Sequence, residues 1–278
     1  MRRYAKIAVF SGIAVGIMVT TICYAGSAVM VGVDVSGSKQ VPVEEIRHES
    51  WDRLLRKHVD KEGYVNYPQW KASAADQKLL GDYLNYLSAA KISRNSSRES
   101  QLAFWINAYN ALTVKRILRE YPTSSIRNHT AKVVGYNIWK DLQLLVAGKP
   151  YSLEAIEHQI LRKMNEPRIH FAIVCASVGC PRLLNEAYVA ERLEEQLSLN
   201  AKHFFADRSK FSADTTSGVI HISPILDWFA NDFGKNTSEQ MRAISPYVPD
   251  SAQRLTASGK ARVKYLDYDW SLNDQARR

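Results

Sequence analysis

Arg168-Ile169-His170-Phe171-Ala172-Ile173-Val174-Cys175-Ala176-Ser177-Val178-Gly179-Cys180-Pro181 reads as a short buried strand running into a Gly/Pro loop. Together with the helices and the few further strands read along the chain, it makes α+β the expected class. The same stretch holds His170 and two of the three cysteines, Cys175 and Cys180, with four residues between them. Cysteine chemistry is therefore the first function to weigh. The plain alternative is that Cys175 is a small core residue and Cys180 its disulfide partner or a loop bystander.

Upstream, Arg2, Arg3 and Lys6 precede an apolar run from Ile7 to about Ile22, and small residues follow at Ala25 to Ala28. This pattern predicts an export signal over 1–28, either cleaved or retained as a membrane anchor. A periplasmic or secreted protein, anchored in the inner membrane if the run is kept, is the expectation. If Cys23 leaves with the signal, Cys175 and Cys180 remain as an even pair in a compartment that permits disulfides. Two cysteines do not staple a chain of this length, so its stability must come from an ordinary hydrophobic core. Of the 37 Lys and Arg, 34 lie beyond the signal, against 28 acidic residues. The densest basic cluster, Lys91, Arg94 and Arg98, is interleaved with serines and reads as a solvated loop, so no nucleic-acid partner is expected.

Residues 29–43 are rich in Gly, Ser and Val and read as a tether, followed by one domain over 44–273 with no internal repeat. Helices are expected near Val43 to Leu55, over 71–90 and from Gln101 to Glu120. The last carries no charge between Leu102 and Val114, and its large apolar side chains point all round, which predicts burial on most sides. Asn107 and Asn110 nevertheless share one of its faces. Buried amides left unpartnered cost about 1–3 kcal/mol each, so the pair predicts either a structural polar network or a ligand-facing wall. Two short strands are expected within 131–151 around Gly148, Trp139 in the first, before a helix from Leu153 to Met164 capped by Ser152. Glu157 falls within the apolar stripe of that helix, and His158 lies at its edge, one turn beyond Glu154. A core-facing carboxylate needs a partner: either a buried arginine, or a functional histidine that Glu157 or Glu154 orients. Further on, a helix is expected over Glu186 to Asp207, a hairpin over 210–222, a helix from Ser223 to Phe233 and a last strand from Val263 to Trp270. The sum is a helix-rich single domain around a small, mostly antiparallel sheet.

Phe104-Trp105-Ile106-Asn107-Ala108-Tyr109-Asn110-Ala111, Tyr151-Ser152-Leu153 with Ile156-Glu157-His158, and the stretch from His170 to Pro181 together resemble the family known as domain of unknown function 547. The closing Tyr265-Leu266-Asp267-Tyr268-Asp269-Trp270 is also similar to that family's end. The resemblance spans most of 45–272 and brings no established activity with it. Some members carry serine where this chain has Cys180. A looser similarity, a buried helix followed by a strand bearing a histidine, links the chain to papain-like and transglutaminase-like thiol enzymes. Those place the nucleophile at the start of the helix. Here Phe104-Trp105-Ile106-Asn107 offers no cysteine, which implies a thiol moved to the strand loop or a scaffold without chemistry.

A thiol enzyme needs a thiolate, a base and a group that orients the base. Cys180, in a loop after Gly179, is the preferred nucleophile, with Cys175 second and expected to be buried. His158 is the preferred base, with Glu157 or Glu154 beside it, and His170 is second. Asn107 or Asn110 would then donate to an oxyanion. The competing expectation, and the favoured one, is a binding module whose Asn, Glu and His groups hold a peptide or small thiol in an aromatic-lined cleft. A zinc site from Cys175, Cys180 and His170 lacks a fourth ligand and matches no common zinc spacing, so no metal or cofactor is expected. Phosphate-binding glycine loops and a Gly-x-Ser-x-Gly elbow are absent from the sequence.

Overall fold

The computed structural model describes residues 29–35, 37–130, 137 and 139–278. The expected export signal lies outside them, as do residues 131–136 and 138 at the start of the two strands expected around Gly148. Two short strands, β1 (Val29–Val31) and β2 (Val41–Pro42), replace the expected tether by pairing with strands further along. Four helices then build the first part of the core: α1 (Glu49–His58), α2 (Tyr67–Ala72), α3 (Ala74–Leu87) and, after the two-residue β3 (Ala90–Lys91), α4 (Arg98–Glu120). Their starts are chemically marked. Asn66, Ser73 and Ser97 each accept a hydrogen bond from the backbone N–H three residues on, satisfying a donor that the helix itself leaves free. α4 is buried from Leu102 to Val114, as its uncharged sequence predicts, and burying each large aliphatic or Phe side chain contributes about 1.5–3 kcal/mol.

The hairpin of β4 (Leu142–Val146) and β5 (Lys149–Ser152) follows, turning at Ala147 and Gly148, both left-handed. Trp139 lies in the turn before β4, not in a strand, and its N–H donates to Asn137 Oδ1. Ser152 caps the next helix through the N–H of Ala155, as expected. That helix is not uniform: α5 (Leu153–Ala155) widens into a π turn over Ile156–Ile160 and tightens to a 3₁₀ turn over Leu161–Met164. A π turn shifts the wheel, and such turns occur frequently at functional sites.

The stretch 168–176 is not a strand. Pro167–Phe171 forms a 3₁₀ turn started by Glu166, whose side chain accepts from the N–H of Arg168. Asn110 then takes both the carbonyl of Ala172 and the N–H of Val174, at 3.0 Å each, so those backbone groups pair with a side chain instead of a neighbouring strand. A run this apolar is buried whatever its conformation, and periodicity cannot separate the cases.

α6 (Leu193–Ala206) begins seven residues later than expected. A 3₁₀ turn at Ala190–Arg192 leads into it, and just before that turn Asn107 binds the carbonyl and N–H of Tyr188. A hairpin of β6 (Phe211–Asp214) and β7 (Val219–Ile222) leads to two short helices, α7 (Ile225–Trp228) and α8 (Ala230–Phe233), broken at Phe229. α9 (Thr237–Ile244) and α10 (Asp250–Ser258) precede β8 (Arg262–Tyr265). The class is α+β and helix-rich. Among the described residues the strands form three small sheets in place of one mostly antiparallel sheet: β1 runs parallel to β4, β2 to β3 and β8 to β7, while β4–β5 and β6–β7 are antiparallel. Two apolar clusters form the core, one around Trp51, Phe104 and Leu153 and the other around Phe171, Phe205 and Met241. Among the described residues no helix is long and apolar enough to cross a membrane.

Candidate functional site

The loop after Val174 is fixed from two sides. Asn110 holds Val174, and Ala176, in the left-handed region at φ 61°, turns the chain back on itself. The C-terminal tail then pins the loop: the N–H of Val178 donates to Ser271 O, that of Gly179 to Asp269 O, and that of Asn273 to Ala176 O. Gly179 suits this approach, since a Cβ there would sit 3.0 Å from the backbone of Asp269 and from the Tyr268 ring, which would have to give by a few tenths of an ångström. The consequence is that Cys175 and Cys180 meet, their Sγ atoms 2.8 Å apart. The N–H of Cys175 also donates to Cys180 Sγ at 2.9 Å.

Cys175 is half-buried, and its sulfur also meets Ser177 Oγ at 2.9 Å and Tyr268 Oη at 3.2 Å. Burial pushes its thiol pKa up, but hydrogen bonds from Cys180, Ser177 and Tyr268 outweigh that and bring it down to about 7. Cys180 is only 6 % exposed, and burial next to the Cys175 sulfur pushes its thiol well above the ordinary value. Cys175, expected to be the buried thiol, is the more exposed of the two. A thiolate forms most readily at Cys175, while Cys180 stays protonated and donates to it.

Both sulfurs line a cavity of about 340 Å³, within the range of small-molecule sites. Glu154, Glu157, His158 and His170 line it as well, so six of the eight residues singled out by sequence come together. The other two do not: Asn107 and Asn110 spend their amides on the backbone of Tyr188, Ala172 and Val174. They form the structural network of the two alternatives.

The histidines are not oriented by the expected carboxylates. His170 is buried in a turn, stacks on Phe229 with centroids 4.0 Å apart, and its Nε2 donates to Asp232 Oδ2 at 2.7 Å. Arg162 grips the same carboxylate with Nε at 2.6 Å and Nη2 at 2.8 Å. Its remaining nitrogen Nη1 donates to His158 Nδ1 at 3.0 Å, so an arginine sets the exposed His158. Burial raises the pKa of Asp232, but the hydrogen bonds from His170 and Arg162 outweigh it and hold the carboxyl well below the usual range. Glu157 accepts from Tyr109 Oη at 3.1 Å, and Glu154 pairs at the surface with Lys140, 3.5 Å away. Among the described residues the side-chain contacts of Cys175 Sγ are Cys180, Ser177 and Tyr268, with no histidine among them. The same residues offer no group of three His, Cys, Asp or Glu side chains placed to hold a metal.

Trp228, Tyr268 and Trp270 complete the cavity as an aromatic trio with centroids 4.5–5.7 Å apart, the two tryptophans stacked and Tyr268 tilted against both, and Trp228 remains 47 % exposed. Residues 93–205 match the family described as "Protein of unknown function, DUF547". The DUF547 similarity covers that part of the chain. No curated protein and no solved structure matches the chain. The DUF547 match contains Tyr109, the helix with Glu157 and His158, and the loop with His170, Cys175 and Cys180. Asp232, Tyr268 and the two tryptophans lie beyond it, so the part of the chain outside the DUF547 match completes the cavity. Sequence reading passed over Ser177, Asp232 and Tyr268 as site residues. Tyr268 carried a signal in the aromatic and acidic tail motif, whereas Asp232 carried none, because its partners are 62 and 70 residues away.

Proposed function

We propose that the cavity is the active site of a cysteine-dependent hydrolase or acyl/thiol transferase, with Cys175 as the nucleophile. The observation that supports this reading is one thiol brought to about 7 by three hydrogen-bonding neighbours, facing a cavity of ligand size. In such a reaction Cys175 Sγ attacks an acyl carbon held in the aromatic cleft. The hydroxyls of Ser177 and Tyr268, which also bond each other at 3.0 Å, stand beside the reacting sulfur as donors for developing negative charge. The departing amine or thiol takes its proton from His170, which lines the same cavity, and water or a second thiol releases the acyl group. The apolar run after Arg2, Arg3 and Lys6 supports the further reading that this chemistry takes place after export.

The test is the rate of alkylation by iodoacetamide against pH, resolved at each cysteine by mass spectrometry. Cys175 is expected to react with a midpoint near 7, and Cys180 to stay unreacted over the same range. Preferential labelling of Cys180, or two inert thiols, overturns the assignment. A second reading has its own support in the half-exposed Trp228 and its aromatic neighbours, which suit a peptide or small thiol held without chemistry. Binding of such a ligand then survives Cys175→Ala, whereas turnover does not.

A further inference from the structure

We propose that Cys175 and Cys180 form an exchanging dithiol that reduces a small disulfide bound in the aromatic cleft. The proposal rests on Cys175 as the reacting thiol and adds a role for Cys180. Acyl transfer needs one sulfur, yet the loop brings a second to 2.8 Å from the first, within about 0.8 Å of disulfide bond length. The fold devotes several features to that closeness. Ala176 sits in the left-handed region, the N–H of Cys180 turns back to Ser177 O at 3.1 Å, and the N–H of Cys175 donates to the Cys180 sulfur. Cys180 is also the more deeply buried of the two. An entering disulfide therefore meets Cys175 first, and Cys180 attacks only what Cys175 has already bound.

The exchange balances in two steps. The Cys175 thiolate attacks one sulfur of R–S–S–R, the S–S bond breaks, and RS⁻ departs and takes a proton. Cys180 then gives up its proton and attacks Cys175 Sγ, displacing the second RS⁻, which takes that proton. Two protein thiols lose two electrons and become a disulfide, and the ligand gains them as two thiols. The aromatic wall and the volume of about 340 Å³ suit a low-molecular-weight disulfide, and a folded protein does not fit.

The experiment incubates the reduced, full-length chain with oxidised glutathione and follows intact mass and released glutathione. The wild type is expected to form an internal Cys175–Cys180 disulfide and release two glutathiones per chain. Cys180→Ser is expected to halve that release and stop at one glutathionyl adduct on Cys175, and Cys175→Ser to form no adduct. Far-UV circular dichroism verifies that the variants fold. Rapid quenching of the wild type, which needs no variant, is expected to catch the adduct on Cys175 before it decays. A stable adduct on the wild type, an adduct on Cys180, or no reaction overturns the dithiol. Iodoacetamide separates the two proposals. If it labels Cys175 near neutral pH while no internal disulfide forms, the exchange falls and the nucleophile stands; if Cys175 is inert to both reagents, both fall.

Discussion

Tyr268 shows how one hydroxyl can set the chemistry of a sulfur 93 residues away. Its Oη lies 3.2 Å from Cys175 Sγ and 3.0 Å from Ser177 Oγ, and burial followed by the nearby thiols keeps its own pKa well above the ordinary value. The phenol therefore stays protonated and acts as a donor wherever Cys175 titrates. Taking the hydroxyl away removes one of the three side-chain donors that oppose burial, so the thiol pKa must rise. In Tyr268→Phe the alkylation midpoint of Cys175 is expected to move up from about 7 toward the ordinary thiol value of about 8.5. The loss of stability should stay near 1 kcal/mol, the typical net worth of one hydrogen bond. An unchanged midpoint would mean that Cys180 and Ser177 alone set the thiol. No pattern in the sequence marked Ser177 as their companion, because its contact with Tyr268 crosses 91 residues.

α4 is where sequence reading succeeded for burial and failed for purpose. An uncharged run with aromatic residues all round predicts a buried helix, and Leu102 to Val114 are buried. Asn107 and Asn110 share a face as expected, but a sequence cannot say whether a buried amide meets a ligand or a backbone. Here each amide clamps a carbonyl and an N–H of an irregular segment, and the Asn110 clamp is why 168–176 is not a strand. The two asparagines can be told apart. Asn110→Ala strands the Ala172 carbonyl and the Val174 N–H next to Cys175, and a loss of about 2–6 kcal/mol is expected from two buried groups at about 1–3 kcal/mol each. Asn107→Ala should cost a similar amount at Tyr188. Only the Asn110 variant should disturb the alkylation profile of Cys175. Urea unfolding and the iodoacetamide rates of the two variants decide this, and equal thiol profiles would deny Asn110 its hold on the loop.

The cleft lies where the two apolar clusters meet, and so the site could be only partly read from local patterns. Tyr109 and Ile173 belong to the first cluster, with Cys175 packed against it, while Ile225 belongs to the second, which Phe229 and Tyr268 flank. Caps, turns and helix periods are local, and those were legible; the meeting of Arg162 with Asp232 is not local, and it was missed. That meeting ties the clusters together. Arg162 follows Leu161 of the first, Asp232 precedes Phe233 of the second, and His170 reaches the same carboxylate. Asp232→Asn keeps the shape and removes the charge, and a loss of about 1–3 kcal/mol is expected at pH 7, limited by solvent screening of a partly exposed pair. The pH dependence gives a stricter test. The carboxyl of Asp232 is held below its unfolded value of about 3.9, so the unfolded chain binds the proton more readily. Its stabilisation is therefore complete above about pH 5 and declines as pH falls through 4 toward the folded value. The gap between wild type and Asp232→Asn in urea unfolding should accordingly be constant from about pH 7 to 5 and narrow toward about pH 3. A gap that persists undiminished at the acid end would show that the charge of Asp232 does not hold the clusters together, and that the variant acts through packing alone.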